Sequence, residues 1–163
     1  MRNFLARELR SRAGGRYHVP QESELADGKR PDLRFHGNGF DAPVPAELKL
    51  ADRWTGPEHL ERLENQLCGD YLRDTRSRRG LFVLVHNGTR KAWILGDKTK
   101  VDFDGLVDGL AARWRQISPN FPDIDDVRVV GINLPIRAQA SSNGVPAKAK
   151  KGGKRDKNGS SEG

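Results

Sequence analysis

The sequence is short of several residue types, and each shortage closes off a chemistry. Its 163 residues hold one cysteine, Cys68, which excludes an internal disulfide and a cysteine-rich zinc site. A reducing compartment, the cytoplasm, is therefore expected. Long apolar runs are also missing. The longest, LFVLV at 81–85 and VRVVGINLPI at 127–136, fall short of the roughly 20 residues that a membrane-spanning helix needs. The opening MRNFLARELRSR lacks the apolar stretch of a secretory signal, so neither export nor membrane anchoring is expected. No Gly-x-x-x-x-Gly-Lys-Ser/Thr occurs, which removes a phosphate-loop nucleotide hydrolase. The four histidines, His18, His36, His59 and His86, show no metal-ligand spacing. No internal repeat is visible.

Charge is present, but not where it would settle a function. Lys and Arg outnumber Asp and Glu by 29 to 22, a net charge of +7. Residues 138–163 hold six basic residues against Asp156 and Glu162, so that stretch carries +4 and leaves only +3 for the rest. The stretch is built of Gly, Ser, Ala, Lys and Asn, with Val145 its one large apolar residue. Such a composition predicts a disordered basic tail, because it buries too little surface to offset its ordering entropy. Residues 1–137 are expected to form a single domain with one core.

Periodicity along residues 1–137 alternates between helix and strand. Phe4, Leu5 and Leu9 recur at helical spacing, and Gly14-Gly15 ends that helix. Tyr17 and Val19 suggest a strand. Leu33 and Phe35 alternate with Asp32, Arg34 and His36, and Val44, Ala46, Leu48 and Leu50 alternate with Pro45, Glu47 and Lys49. Thr55-Gly-Pro-Glu58 reads as a capping box with proline at the first helical position. The helix it opens carries Leu60, Leu63, Leu67, Tyr71 and Leu72 on one side, with Cys68 inside it. LFVLVH suits a strand buried on both faces. Phe103, Leu106, Val107, Leu110 and Trp114 mark another helix, and Val127, Val129, Ile132 and Leu134 a last strand, expected parallel to LFVLVH. Lys91–Leu95 is left open as a short extra strand. The order predicts an α/β fold, a mixed central β-sheet flanked by helices.

The segment from Asp32 to Lys49 carries the chemistry. An antiparallel hairpin turning at Asn38-Gly39 pairs residues whose numbers sum to about 79. Leu33 then faces Ala46, Phe35 faces Val44, and Asp32 faces Glu47, so the apolar sets share one face and the carboxylates the other. Lys49 falls on the carboxylate face. Opposed carboxylates repel unless a proton or cation relieves them. A hard divalent cation, Mg²⁺ with Mn²⁺ as substitute, suits two carboxylates and leaves positions for water. It would polarise a phosphodiester oxygen and lower the pKa of water, with Lys49 orienting or deprotonating that water.

Pro31-Asp32 followed by Glu47-Leu48-Lys49, after an acidic stretch, resembles the PD-(D/E)-x-K nuclease superfamily, which includes many restriction endonucleases, repair nucleases and junction resolvases. The order from residue 3 to about 86 is similar to that superfamily's αβββαβ core, with the later helix and strand as additions. The resemblance implies a restriction-endonuclease-like domain in which Asp32 and Glu47 bind metal and Lys49 assists the attacking water. It also implies a further acid, for which Glu22 is the first candidate, ahead of Glu24 and Glu8. Gln66 and Tyr71 resemble a Gln/Tyr motif that faces the active site in some of these nucleases. Here four residues intervene rather than three, which in an α-helix rotates Tyr71 by a further ~100°.

Arg30 and Arg34, on the Asp32 face, are expected to contact substrate phosphate, with His36 beside them. Arg73, Arg76, Arg78 and Arg79 sit at a predicted helix C-terminus, where the helix dipole alone favours them. The expected partner is nucleic acid, DNA in particular, with a homodimer or a larger assembly, such as a bacterial defence or repair system, as context. Two rival readings remain: a catalytically inactive nucleic-acid-binding or assembly module of the same fold, and a structural domain whose Asp–Glu–Lys cluster is an ion network.

Overall fold

Three alternating segments and one continuous apolar run build a four-stranded sheet. The computed structural model describes residues 2–20, 31–39, 42–73 and 76–134. Helix α1 (Arg2–Arg12) is followed by strands β1 (Leu33–Phe35) and β2 (Val44–Leu50), helix α2 (Gly56–Glu61), strand β3 (Arg79–His86), a small hairpin of β4 (Trp93–Ile94) and β5 (Lys100–Val101), helix α3 (Phe103–Ile117) and strand β6 (Asp126–Asn133). The sheet order is β1-β2-β3-β6, mixed, with β1 antiparallel to β2 and β2, β3 and β6 mutually parallel. The fold is thus α/β, with helices on both faces.

The hairpin register agrees with the alternation argument: Leu33 pairs with Ala46, Arg34 with Pro45 and Phe35 with Val44. β3 is central, and the crossover through α3 brings β6 parallel to it, also as the sequence suggests. Each sheet face has its own core. Ala6 of α1 covers Leu33, Ala46, Leu48, Val83 and Val85. On the other face Leu63, Leu67, Tyr71, Leu106, Leu110 and Trp114 cover Phe82, Leu84 and Val127. Lys91–Leu95 does contribute a strand, β4, in its own two-stranded sheet.

Four expectations need correction. The strand at Tyr17–Val19 shrinks to one bridge, His18 to His36, because Gly14 and Gly15 turn the chain at φ +56° and +76° and leave little length for pairing. Gly56, not Pro57, opens α2, although the capping box is present, with Thr55 and Glu58 bonded reciprocally. Of the four arginines Arg73 does follow a helix end, but Arg79 begins β3, and Arg78 Nη2 lies 2.8 Å from Asp125. The largest departure is that α2 continues, without a break, as a π-helix over Arg62–Tyr71. Its period is visible in the bond from Leu72 N–H to the Leu67 carbonyl, five residues back, at 3.0 Å.

Candidate active site on strand β2

Strand alternation sends Glu47 and Lys49 of β2 to the face that the π-helix covers, in register with Phe82 and Leu84 of β3. Coverage buries Glu47 to 2% exposure, an unusual place for a carboxylate. One oxygen, Oε1, is held by the Lys49 ammonium, whose side chain is 12% exposed. The other, Oε2, is enclosed and has no hydrogen-bond partner. Asp32 stands one residue before β1 and reaches across to β2, where its Oδ2 accepts from the Leu48 N–H at 2.9 Å. That bond fixes the Asp32 carboxylate beside Glu47.

The electrostatics follow from this arrangement. Burial pushes the Glu47 acid above its ordinary value, the Lys49 bond opposes that, and the Asp32 carboxylate adds to it. The net direction is upward. The Tyr71 hydroxyl, 5% exposed, is turned toward Glu47 and partly offsets that rise. Burial raises the Tyr71 hydroxyl, so it stays protonated and able to donate. Gln66 Nε2 donates to the same hydroxyl at 2.8 Å. A chain of donors therefore runs from Gln66 through Tyr71 to Glu47, and Gln66 Oε1 remains enclosed without a partner.

The π-helix explains why this chain exists. In an α-helix, five residues of separation would turn Tyr71 away from Gln66. With i→i+5 bonding the two stack one turn apart on the same face. The ~100° rotation expected from the sequence is thus cancelled, and Tyr71 joins the site rather than only packing in the core. Its removal has a defined signature. Tyr71→Phe keeps the ring but deletes the hydroxyl, leaving the Gln66 amide and Glu47 each short of a partner. We expect a loss of about 1–2 kcal/mol in urea unfolding; an unchanged midpoint would mean that the relay contributes nothing.

Other candidates fall in different places. Arg34 lies on the Asp32 side of β1, half-buried, with its Nε unpartnered. Glu22, Glu24 and Arg30 lie outside the described residues, as does the basic tail. Glu8 is at the far face, paired with Arg12 on α1. Trp54 is packed under the Arg62 guanidinium, 4.8 Å from its ring centroid. Cys68 is buried, and burial pushes its thiol up to about 12, which leaves it unreactive.

A network at the carboxyl ends of β2 and β3 had no sequence signal. Asp52 accepts from the backbone of Asn87 at 2.8 Å and Arg90 at 2.7 Å. His86 bonds Asn133 Oδ1 at 3.1 Å and the Arg90 carbonyl at 2.8 Å. His59 and the Trp93 indole both reach the Ala51 carbonyl, at 3.3 and 3.0 Å. These bonds tie down the turn that follows Lys49, so the network braces the site rather than extending it.

Among the described residues no group of three or more His, Cys, Asp or Glu side chains is placed to hold a metal ion. Asp32 and Glu47 supply two carboxylates of the three expected. Comparison with protein-family models, curated proteins and solved structures found no match to this chain.

Proposed function

We propose that the chain is a metal-dependent nuclease that hydrolyses phosphodiester bonds in DNA, of the PD-(D/E)-x-K type. The observation that carries this reading is Glu47: a buried carboxylate with Lys49 on one oxygen, nothing on the other, and Asp32 alongside. A fold that needed only an ion pair would not leave Oε2 enclosed and unpaired, since an orphaned buried acceptor costs about 1–3 kcal/mol. A hard divalent cation would relieve that oxygen, since Mg²⁺ takes carboxylate oxygens at about 2.0–2.1 Å. Asp32 and Glu47 would hold it, with Glu22 the candidate third ligand. A bound Mg²⁺ or Mn²⁺ supplies Lewis-acid polarisation of the scissile phosphoryl oxygen.

The chain's own groups have distinct tasks. The Leu48 N–H aims the Asp32 carboxylate, and Tyr71 with Gln66 aims that of Glu47. Lys49 places a positive charge where the phosphoryl group gains negative charge, and a donor where the attacking water must be oriented. Arg34 and, beyond the described residues, Arg30 are proposed phosphate contacts.

The direct test is incubation of supercoiled plasmid with the protein and Mg²⁺ or Mn²⁺. Nicking or linearisation that chelator stops is the expected result. Absence of cleavage on any DNA or RNA form, together with no metal uptake by calorimetry, would leave a binding module as the function.

Metal-free protein gives a second prediction. An acid whose folded value is raised contributes stability that is complete below its unfolded value of 4.5 and is lost as pH rises through the folded value. In chelator, wild type should therefore lose melting temperature relative to Glu47→Gln as pH climbs above 4.5. Added Mn²⁺ should narrow that difference by neutralising the carboxylate. Parallel pH profiles for the two proteins would contradict the assignment of Glu47 as the strained acid.

A further inference from the structure

A strip of two histidines and an arginine borders the site along the β1 edge of the sheet. The bridge between His18 and His36 joins their backbones in both directions, at 2.6 and 2.9 Å. Their rings stack with centroids 5.0 Å apart and planes inclined by 26°. Gly37 permits this closeness, because a Cβ there would stand 2.7 Å from the Arg16 carbonyl oxygen. Leu33 and Phe35 pack into the core beneath α1, so Arg34 and His36 fall on the opposite face, the one Asp32 shares. His18 is exposed, while Arg34 and His36 are half-buried. Arg34 Nε and His36 Nε2 are both enclosed and without hydrogen-bond partners, which leaves the Arg34 terminal nitrogens and the outer ring edges to meet a ligand.

The fold makes little use of these groups. Two imidazoles face to face beside a guanidinium repel when protonated, and no carboxylate is bonded to any of the three among the described residues. A plain packing pair at this edge would be served better by apolar rings. Among the described residues, the element that would offset these charges is an anion that spans the three. We propose that His18, His36 and Arg34 form a seat for one phosphodiester group of the substrate backbone, four residues of extended chain, about 13 Å, from Asp32. The proposal rests on the nuclease reading of the Asp32–Glu47–Lys49 site and adds to it where the strand lies and how acidity controls its grip.

The control follows from the surroundings of His36. Burial, His18 and Arg34, in that order, hold its imidazole below the usual range, so it is neutral at pH 7. Among the described residues these are the charged and titratable groups acting on it. A phosphodiester at the edges of the stacked rings, beside the Arg34 guanidinium, offsets both repulsions, so binding draws in a proton and strengthens as pH falls.

The test uses the full chain in chelator with a fluorescent DNA oligonucleotide, so that binding is read without cleavage. Anisotropy should show affinity rising between pH 7.5 and 5.5 with a slope approaching about tenfold per pH unit, the limit for one added proton per complex. His36→Gln should flatten this dependence, and His18→Gln should reduce it. Histidine ring proton spectra of unmutated protein give a reading that does not depend on a variant folding. Oligonucleotide should shift the His18 and His36 resonances and raise the His36 titration midpoint, leaving His59 and His86 as internal references. Binding with no pH dependence and no movement of these resonances would overturn the phosphate seat while the nuclease reading stands. No binding to DNA at any pH, with plasmid still uncut in Mn²⁺, would overturn both.

Discussion

Lys49→Ala should reduce plasmid cleavage by about 10²–10³-fold while DNA binding in chelator stays near wild type. The size of the loss is that of removing one preorganised charge from a site where negative charge develops. Lys49 is well placed for such an effect because it cannot wander: its stem is packed, its side chain is 12% exposed, and its ammonium is fixed on Glu47 Oε1. Removing it also leaves the buried Glu47 carboxylate without its cation, which raises that acid further and destabilises the fold. Lys49→Met, which preserves the stem, separates the two effects through its melting curve. Lys91→Ala is the control, since Lys91 is exposed and, among the described residues, bonds only the Gly88 carbonyl. Cleavage undiminished in Lys49→Ala and in Asp32→Ala would remove this chemistry from the pair.

Gly56→Ala should be the most damaging glycine-to-alanine change among the described residues. Its Cβ would stand 2.1 Å from the Ile94 carbonyl oxygen and 2.9 Å from the Ile94 carbonyl carbon. Both are backbone of the β4–β5 hairpin, held by Leu95 N–H on the Thr99 carbonyl at 2.9 Å, so neither can swing aside. Overpacking of this kind costs about 3 kcal/mol, and in a domain of this size that lowers the melting temperature by roughly 10 °C. The consequence reaches the site, because Gly56 opens the helix that continues into Arg62–Tyr71. A displaced helix start moves Tyr71 off Glu47, so cleavage should fall even at temperatures where the variant is folded. A melting temperature within about 2 °C of wild type would show that the hairpin yields more easily than its hydrogen bonds suggest.

Much of this arrangement was readable from residue order, for identifiable reasons. The Leu33–Ala46 register followed because two alternating patterns and one Asn-Gly-containing turn admit a single pairing that buries both apolar sets. The parallel β3–β6 pair followed from the crossover rule. The short strand at Tyr17–Val19 was overestimated because alternation cannot tell a three-residue strand from a single bridge. The bond from Leu48 N–H to Asp32 was out of reach, since it depends on a side chain crossing between strands. Tyr71 was misplaced for a different reason: residue numbers were converted to angles at the α-helical rate, and the helix does not turn at that rate there.

That local change of rate makes the helix a counting device with two settings. Gln66 and Tyr71 meet only while the ladder skips one extra residue per turn. Loss of a single position between them would restore ordinary winding and the commoner three-residue interval together, with the same two side chains still adjacent. Gain of one position would separate them. The partnership of these residues is therefore indifferent to one kind of length change and intolerant of the other, an asymmetry written into the winding of the backbone and not into either side chain.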